Sequence, residues 1–250
     1  VSPIVWRVEH FDEIESTNTY LAVRAKEGAV EGAVALADFQ TSGRGRLDRA
    51  WQSPPRASLL CSILLRPQID ADRLQLVVAA TALAARAALV RLSGVRPQLK
   101  WPNDLVVGEN KLAGLLAEVI ETSSGVAVVV GLGVNLAYQG PEGAASTSVL
   151  LESGVMIAPR ALLDHVLEEL ESRRAQLDSD EGQRELRREY ESALATIGKF
   201  VRVETLGDSY VGEATGVDEA GGLLVVVEGT LRTFTMGDVV HVRPSEDERA

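Results

Sequence analysis

The sequence predicts a mixed β-sheet with helices packed on it, followed by a small all-β barrel. Three observations carry this prediction. Runs of strand length, apolar on both faces, alternate with longer helical runs as far as Ile197. After Ile197 the texture changes to short strands separated by glycine-containing turns. Apolar residues make up 46% of the 250, enough for a sizeable core. The change of texture divides the chain into residues 1–196 and 197–250.

Ser16-Thr17-Asn18 precedes Tyr20–Glu27, a short helix that Ser16 or Thr17 can cap and Gly28 stops. Ala33–Phe39 and Leu59–Leu65 are apolar runs of strand length, as expected for strands covered on both sides. Leu74–Leu92 is rich in Ala and Leu, apolar nearly all round and closed by Gly94; it is the long helix. Leu99–Trp101 and Asp104–Val107 read as strand. A turn at Val107-Gly108-Glu109-Asn110 feeds another strand over Lys111–Val119, and Val126–Leu136 is the most apolar strand. These pack as an α+β or α/β layer arrangement. Arg160–Leu177 and Glu181–Ala195 are charged amphipathic helices. Lys199–Leu206, Tyr210–Val217, Leu223–Glu228, Leu231–Met236 and Val239–Val242 are five short strands, which suits a barrel of SH3-like type. The polar tail Ser245–Ala250 is expected to be disordered.

The net charge is −11. A chain this acidic is a poor candidate for wrapping nucleic acid, so no DNA partner is expected and a cluster of arginines becomes informative. No run approaches the ~20 apolar residues of a membrane span, and the N-terminus lacks a signal-peptide pattern. The expected location is the cytoplasm. Cys61 is the only cysteine and reads as a small core residue. His10, His165 and His241 are far apart, without metal-ligand spacing.

Four segments concentrate chemistry. Gln40 to Trp51 (QTSGRGRLDRAW) follows a buried strand. Its glycines let a ligand approach the backbone, Arg44, Arg46 and Arg49 repel one another unless an anion is present, and Trp51 offers a flat face. This is an anion-binding loop, mobile when empty and ordered when filled; a solvated basic loop explains the segment alone nearly as well. It is neither a P-loop nor a dinucleotide fingerprint. In Lys100-Trp101-Pro102-Asn103-Asp104 the proline forces a bend that presents Asn103 and Asp104. Asp104 could hold Mg²⁺ together with phosphates, or close an Asx turn. Lys111 opens the apolar stretch Leu112–Leu116, where a point charge beside a dry core acts strongly, and Gly114 marks a close approach to the backbone. Gly131-Leu132-Gly133-Val134-Asn135 leaves room for a ring beside an amide, a weak signal alone.

In this order and spacing, ESTN at Glu15–Asn18, the QTSGRGRLDRAW loop, KWPND at Lys100–Asp104, KLAGLL at Lys111–Leu116 and GLGVN at Gly131–Asn135 resemble the biotin protein ligase family over nearly the whole chain. The resemblance implies an α+β catalytic domain of the biotin–lipoate ligase type, similar to class II aminoacyl-tRNA synthetases, plus the C-terminal barrel. It implies an ATP-dependent ligase that forms biotinyl-5′-AMP and passes biotin to a lysine of a biotin carboxyl carrier domain. By the same resemblance Ser16, Thr17, Asn18 and Gln40 meet the biotin ureido ring. Arg44, Gly45, Arg46 and Lys111 meet biotin, with Arg46 and Lys111 at the carboxylate–phosphate junction as the catalytic pair. Arg49, Trp51, Asn103 and Asn135 border the adenylate, and Asp104 is the Mg²⁺ candidate. Fourteen residues precede the ESTN segment, which favours an enzyme without a DNA-binding repressor domain. Monomer and homodimer stay open. The alternatives are a lipoate or octanoate ligase or transferase, and a non-catalytic biotin or nucleotide sensor. The arginine-paired glycine-triplet loop and His-Asp segment of the lipoate enzymes do not occur here.

Overall fold

A computed structural model describes residues 3–47, 49–205, 207–235 and 237–242. The tail Ser245–Ala250 and the expected strand ends Leu206 and Met236 lie outside the described residues. The strands β1 (Arg7–Phe11), β2 (Ala33–Ala37), β3 (Ser58–Leu65), β4 (Gln98–Lys100), β5 (Asp104–Val107), β6 (Asn110–Thr122) and β7 (Gly125–Asn135) form one sheet. Its order is β1-β2-β3-β7-β6-β5-β4. β1 and β2 run parallel and the other pairs antiparallel, so the sheet is mixed, as expected. β1 has no counterpart in the sequence reading. It is an edge strand with Arg7, Glu9 and His10 exposed, so it lacks the apolar run that betrays its neighbours.

Side chains alternate between the two faces of the sheet. Leu59, Cys61, Ile63 and Leu65 of β3 join the larger core beneath α2 (Gln75–Ser93) and α4 (Pro159–Gln176). Leu64 of β3 and Val129 of β7 face the opposite way, into a smaller cluster with Leu21 and Ala25 of α1 (Thr17–Lys26). Ser16 caps α1, accepting from Thr19 N at 3.4 Å. Gly94 closes α2 in the left-handed conformation, at φ 75°. By length and composition α2 does satisfy the test for a membrane span, contrary to the sequence reading; 67% of that window is buried inside the fold, where the helix forms the core against the sheet and α4. A short helix α3 (Val149–Ser153), bracketed by the cap Ser148 and the left-handed Gly154, precedes α4. α5 (Asp180–Ala193) packs on α2 and α4.

The second sheet holds β8 (Phe200–Glu204), β9 (Ser209–Val217), β10 (Leu223–Val227), β11 (Thr230–Phe234) and β12 (Asp238–His241) in the order β11-β10-β9-β8-β12, antiparallel throughout. Val201, Val203, Ala214, Leu223, Val225 and Phe234 bury one face into the same core as the first sheet. Trp101, 1% exposed, fastens the two together: its Nε1 donates to Gly221 O at 3.1 Å.

Candidate active site

Past the N-terminal end of α1 the face of the sheet that this helix covers has no helix over it, and loops close it into a cavity of about 390 Å³. The floor is a trough without Cβ atoms. Gly114 of β6 and Gly133 of β7 are cross-strand partners, and the Trp51 indole lies over them: a Cβ on Gly133 would stand 2.6 Å from Trp51 Cε2, and one on Gly114 3.2 Å from Cζ3. A Cβ on Gly131 would stand 2.3 Å from Asn18 Oδ1. The Gly131-Leu132-Gly133 pattern thus seats two side chains of the protein itself. That is the physical content of a segment whose sequence alone says little.

One wall is polar and neutral. Gln40 Oε1 accepts from Thr17 N at 2.7 Å and from Thr17 Oγ1 at 3.1 Å. The Asn18 amide is fully engaged, donating to Leu116 O at 3.1 Å and to Glu118 Oε2 at 2.7 Å while its oxygen accepts from Ser62 Oγ. Ser62 Oγ also lies 2.7 Å from Thr17 Oγ1. It went unnoticed in the sequence because it is one small hydroxyl in the apolar run of β3. Burial pushes the Cys61 thiol up to about 12, so this neighbour of Ser62 on β3 stays protonated.

The opposite wall is cationic, and each cation meets a carboxylate of the chain. Arg44 Nη2 reaches Glu118 at 3.0 Å and Thr19 Oγ1 at 3.2 Å. Arg46 lies 3.7 Å from Asp238 and donates to Gly237 O at 3.2 Å. Arg49 bonds Asp238 directly. Lys111 Nζ stands 2.7 Å from Asp104 Oδ1, an ion pair without hydrogen-bond alignment, and 5.7 Å from the centre of the Trp51 ring. The arginines were expected to repel one another unless an anion arrives; the fold supplies internal anions from β6 and β12 instead. Burial lowers the Arg46 pKa from its ordinary value; Asp238 and Asp104 raise it and Arg49 lowers it again. A cation so desolvated gains when a further anion comes within reach.

Lys111 owes its aim to the backbone. Its N–H donates to Ala145 O and its carbonyl accepts from Thr147 N, both at 2.9 Å, while the β5–β6 ladder slips register between Leu105 and Val106. The segment Gly140 to Ser146 thereby forms a further wall. Sequence reasoning passed over it because it carries no charge pattern. The arginine loop is closed by Gly45 N to Arg49 O at 2.7 Å and Trp51 N to Gly43 O at 2.9 Å. Asn103 donates to Leu115 O at 2.6 Å and accepts from Arg46 Nη1 at 3.3 Å, and Asn135 donates to Thr147 O at 3.0 Å.

Every residue singled out above lines this one cavity: Ser16, Thr17, Asn18, Gln40, Arg44, Gly45, Arg46, Arg49, Trp51, Asn103, Asp104, Lys111 and Asn135. Asp238, and Glu118 just behind the wall, were not anticipated. Glu118 was readable as the first carboxylate to interrupt β6 after its apolar run Leu112–Leu116; Asp238 was not, since it arrives from the other sheet. Among the described residues no group of three or more His, Cys, Asp or Glu could hold a metal ion. The carboxylates that line the cavity are Asp104 and Asp238, too few to hold a metal ion without ligands from a bound substrate.

The model of the biotin/lipoate A/B protein ligase family matches residues 10–135, and that of the biotin protein ligase C terminal domain residues 196–242. The chain is 36% identical over 235 residues to the biotin--[acetyl-CoA-carboxylase] ligase of Mycobacterium tuberculosis, covering 91% of this chain and 86% of that one. It is 30% identical over 241 residues to the bifunctional ligase/repressor BirA of Escherichia coli, 93% of this chain and 73% of that protein. Among solved structures, biotin protein ligase from Aquifex aeolicus in complex with biotin and ATP aligns with a TM-score of 0.81 at 27% identity, covering 95% of this chain and 99% of that one.

Proposed function

We propose a division of labour among the site residues of a chain that belongs to the biotin/lipoate A/B protein ligase family and is a biotin protein ligase. It joins biotin to ATP and transfers the biotin to an acceptor protein.

The neutral wall takes the biotin ureido group. A urea wants donors and acceptors without net charge, which is what Ser16, Thr17 and Gln40 offer. Asn18 acts behind them, since its amide is already engaged. The biotin carboxylate then lies toward Arg46 and Lys111. One of its oxygens attacks the α-phosphorus of ATP, and pyrophosphate leaves with the electrons of the broken P–O bond. Two anions must approach and negative charge grows on the equatorial oxygens. Preplaced cations lower that barrier, and losing one donor of this kind costs roughly 10²–10³-fold in rate. Arg46 and Lys111 supply them, and Arg49 supports the same anion. For this to happen Asp104 and Asp238 release their partners to the phosphates. Asp104 would be the residue that holds a Mg²⁺ ion brought by the ATP phosphates, and the ion would offset their negative charge. Trp51, Asn103, Asn135 and the segment Gly140 to Ser146 border the adenylate.

In the second step the acceptor lysine amine attacks the acyl carbon and AMP leaves, so the protein contributes no nucleophile. The acceptor is a biotin carboxyl carrier domain of a carboxylase. The mixed anhydride hydrolyses in water, and the arginine loop over it limits that loss.

The carrying observation is that Arg46, from the β2–β3 connection, and Lys111, from strand β6, share one cavity with Ser16, Thr17 and Gln40. Incubation with ATP, Mg²⁺, biotin and a carrier domain, followed by a streptavidin blot, tests the reading. A labelled acceptor is expected, and lipoate in excess leaves the label unchanged. An unlabelled acceptor would sink the assignment.

A further inference from the structure

Glu118 takes no part in the chemistry proposed for the site. Its carboxylate holds two parts of the site at once. Oε2 accepts from Asn18 Nδ2 at 2.7 Å, and both oxygens accept from Arg44 Nη2, at 3.1 and 3.0 Å. Asn18 sits in the first turn of α1, beside the residues that face the ureido group; Arg44 opens the arginine loop, two residues before Arg46. Arg44 Nη2 also donates to Thr19 Oγ1 at 3.2 Å, so loop and helix meet a second time. Asn18 is itself fixed, by Ser62, by Leu116 O and by the Cβ-free space over Gly131. The Arg44 side chain is 46% exposed, and an ion pair that open adds little to stability. Its consequence is geometric.

We propose that Glu118 is a positioning residue for the adenylation site: it clamps the loop that carries Arg46 to the helix that carries the ureido wall. This rests on the functional reading above. Biotin filling the neutral wall holds α1 and Asn18 in place, Asn18 holds Glu118, and Glu118 holds the first arginine of the loop. The loop then closes over the adenylate as one piece with the biotin pocket, and the mixed anhydride stays bound until an acceptor lysine arrives. Without the clamp the loop still carries Arg46, but nothing ties its closing to the biotin wall.

The full chain, Glu118→Gln, Arg44→Gln and the double variant are given ATP, Mg²⁺ and biotin without acceptor. Release of biotinyl-5′-AMP is followed by rapid separation of free from bound nucleotide. Each single variant is expected to release the intermediate roughly two- to fivefold faster, the order for loss of one exposed ion pair. In Glu118→Gln the KM for biotin rises, while the saturated rate of adenylate formation stays within roughly threefold of the unaltered chain. The double variant is expected to release no faster than either single one, because both remove the same link. Arg44 is open to solvent, so its variant keeps the test valid even if Glu118→Gln folds poorly. Release at the unaltered rate in Arg44→Gln, or additive effects in the double variant, would overturn the clamp. Failure of the unaltered chain to form adenylate would instead overturn the functional reading, and the clamp with it.

Discussion

Asp238, the first residue of β12, stands 3.7 Å from Arg46 and is bonded to Arg49, so the C-terminal sheet supplies the counter-ion for a loop in the first sheet's cavity. That contact gives the small domain a direct part in the site. Asp238→Asn keeps the shape and removes the charge. The expected result is a looser arginine loop in the ligand-free protein, seen as faster limited proteolysis or faster hydrogen exchange over residues 44–51. ATP with biotin restores protection, since the nucleotide takes over the anionic role. Protection unchanged in the variant would mean that the loop is held by its backbone alone.

Lys111 is held by its backbone. Backbone bonds on both sides fix its strand, and Asp104 sits 2.7 Å from its ammonium. Lys111→Ala removes a preplaced charge at the proposed carboxylate–phosphate junction while leaving the ureido wall intact. Adenylate formation is expected to fall by roughly 10²–10³-fold or more, with weak biotin binding retained. Pyrophosphate exchange measures the first and calorimetry the second. Normal turnover would take Lys111 out of the mechanism.

Much of this site was legible in the sequence, for a physical reason. Loops that bind anions need glycine and arginine close together, and a lysine at the head of an apolar strand is conspicuous. Both leave compositional marks, as do β3, β7 and α2, whose burial shows as unbroken apolar runs. Other features leave none. Ser62 is one hydroxyl among aliphatic residues. Asp238 and Glu118 are ordinary carboxylates until the fold brings them to the arginines. Trp51 also covers the backbone of Gly114 and Gly133, a contact set by tertiary packing alone.

That contact makes Gly133 testable. A Cβ there would come within 2.6 Å of Trp51 Cε2, closer than such atoms approach. Gly133→Ala must therefore push the indole away from the floor of the cavity, and overpacking of this kind costs about 1–3 kcal/mol. The change is expected in tryptophan emission and as roughly tenfold weaker biotin binding, because Trp51 and biotin share the cavity. Unaltered emission and affinity would show that the strand, not the indole, gives way.

The two sheets also meet at a titrating contact. His241 of β12 lies 3.4 Å from Glu109 in the β5–β6 turn and 3.3 Å from Lys199, and its side chain is only 10% exposed. Burial lowers the His241 pKa from 6.5, Lys199 and Lys100 lower it further, and Glu109 opposes them. The folded protein therefore keeps His241 neutral at pH values where the unfolded chain has already bound a proton. The unfolded state binds more protons, so stability falls as pH drops below about 6.5 and the loss is complete once the folded pKa is passed. Glu109, held below the usual carboxylate range by Lys199 and His241 in spite of its desolvation, adds a loss of the same sign in a more acid window. The midpoint of thermal unfolding is expected to decline from pH 7.5 to pH 5.5 (roughly one unit either side of an unperturbed histidine). In His241→Gln, which cannot take up a proton, the decline over that interval is shallower. Parallel curves for the two proteins would remove His241 from the acid response and leave the junction of the sheets indifferent to pH in this range.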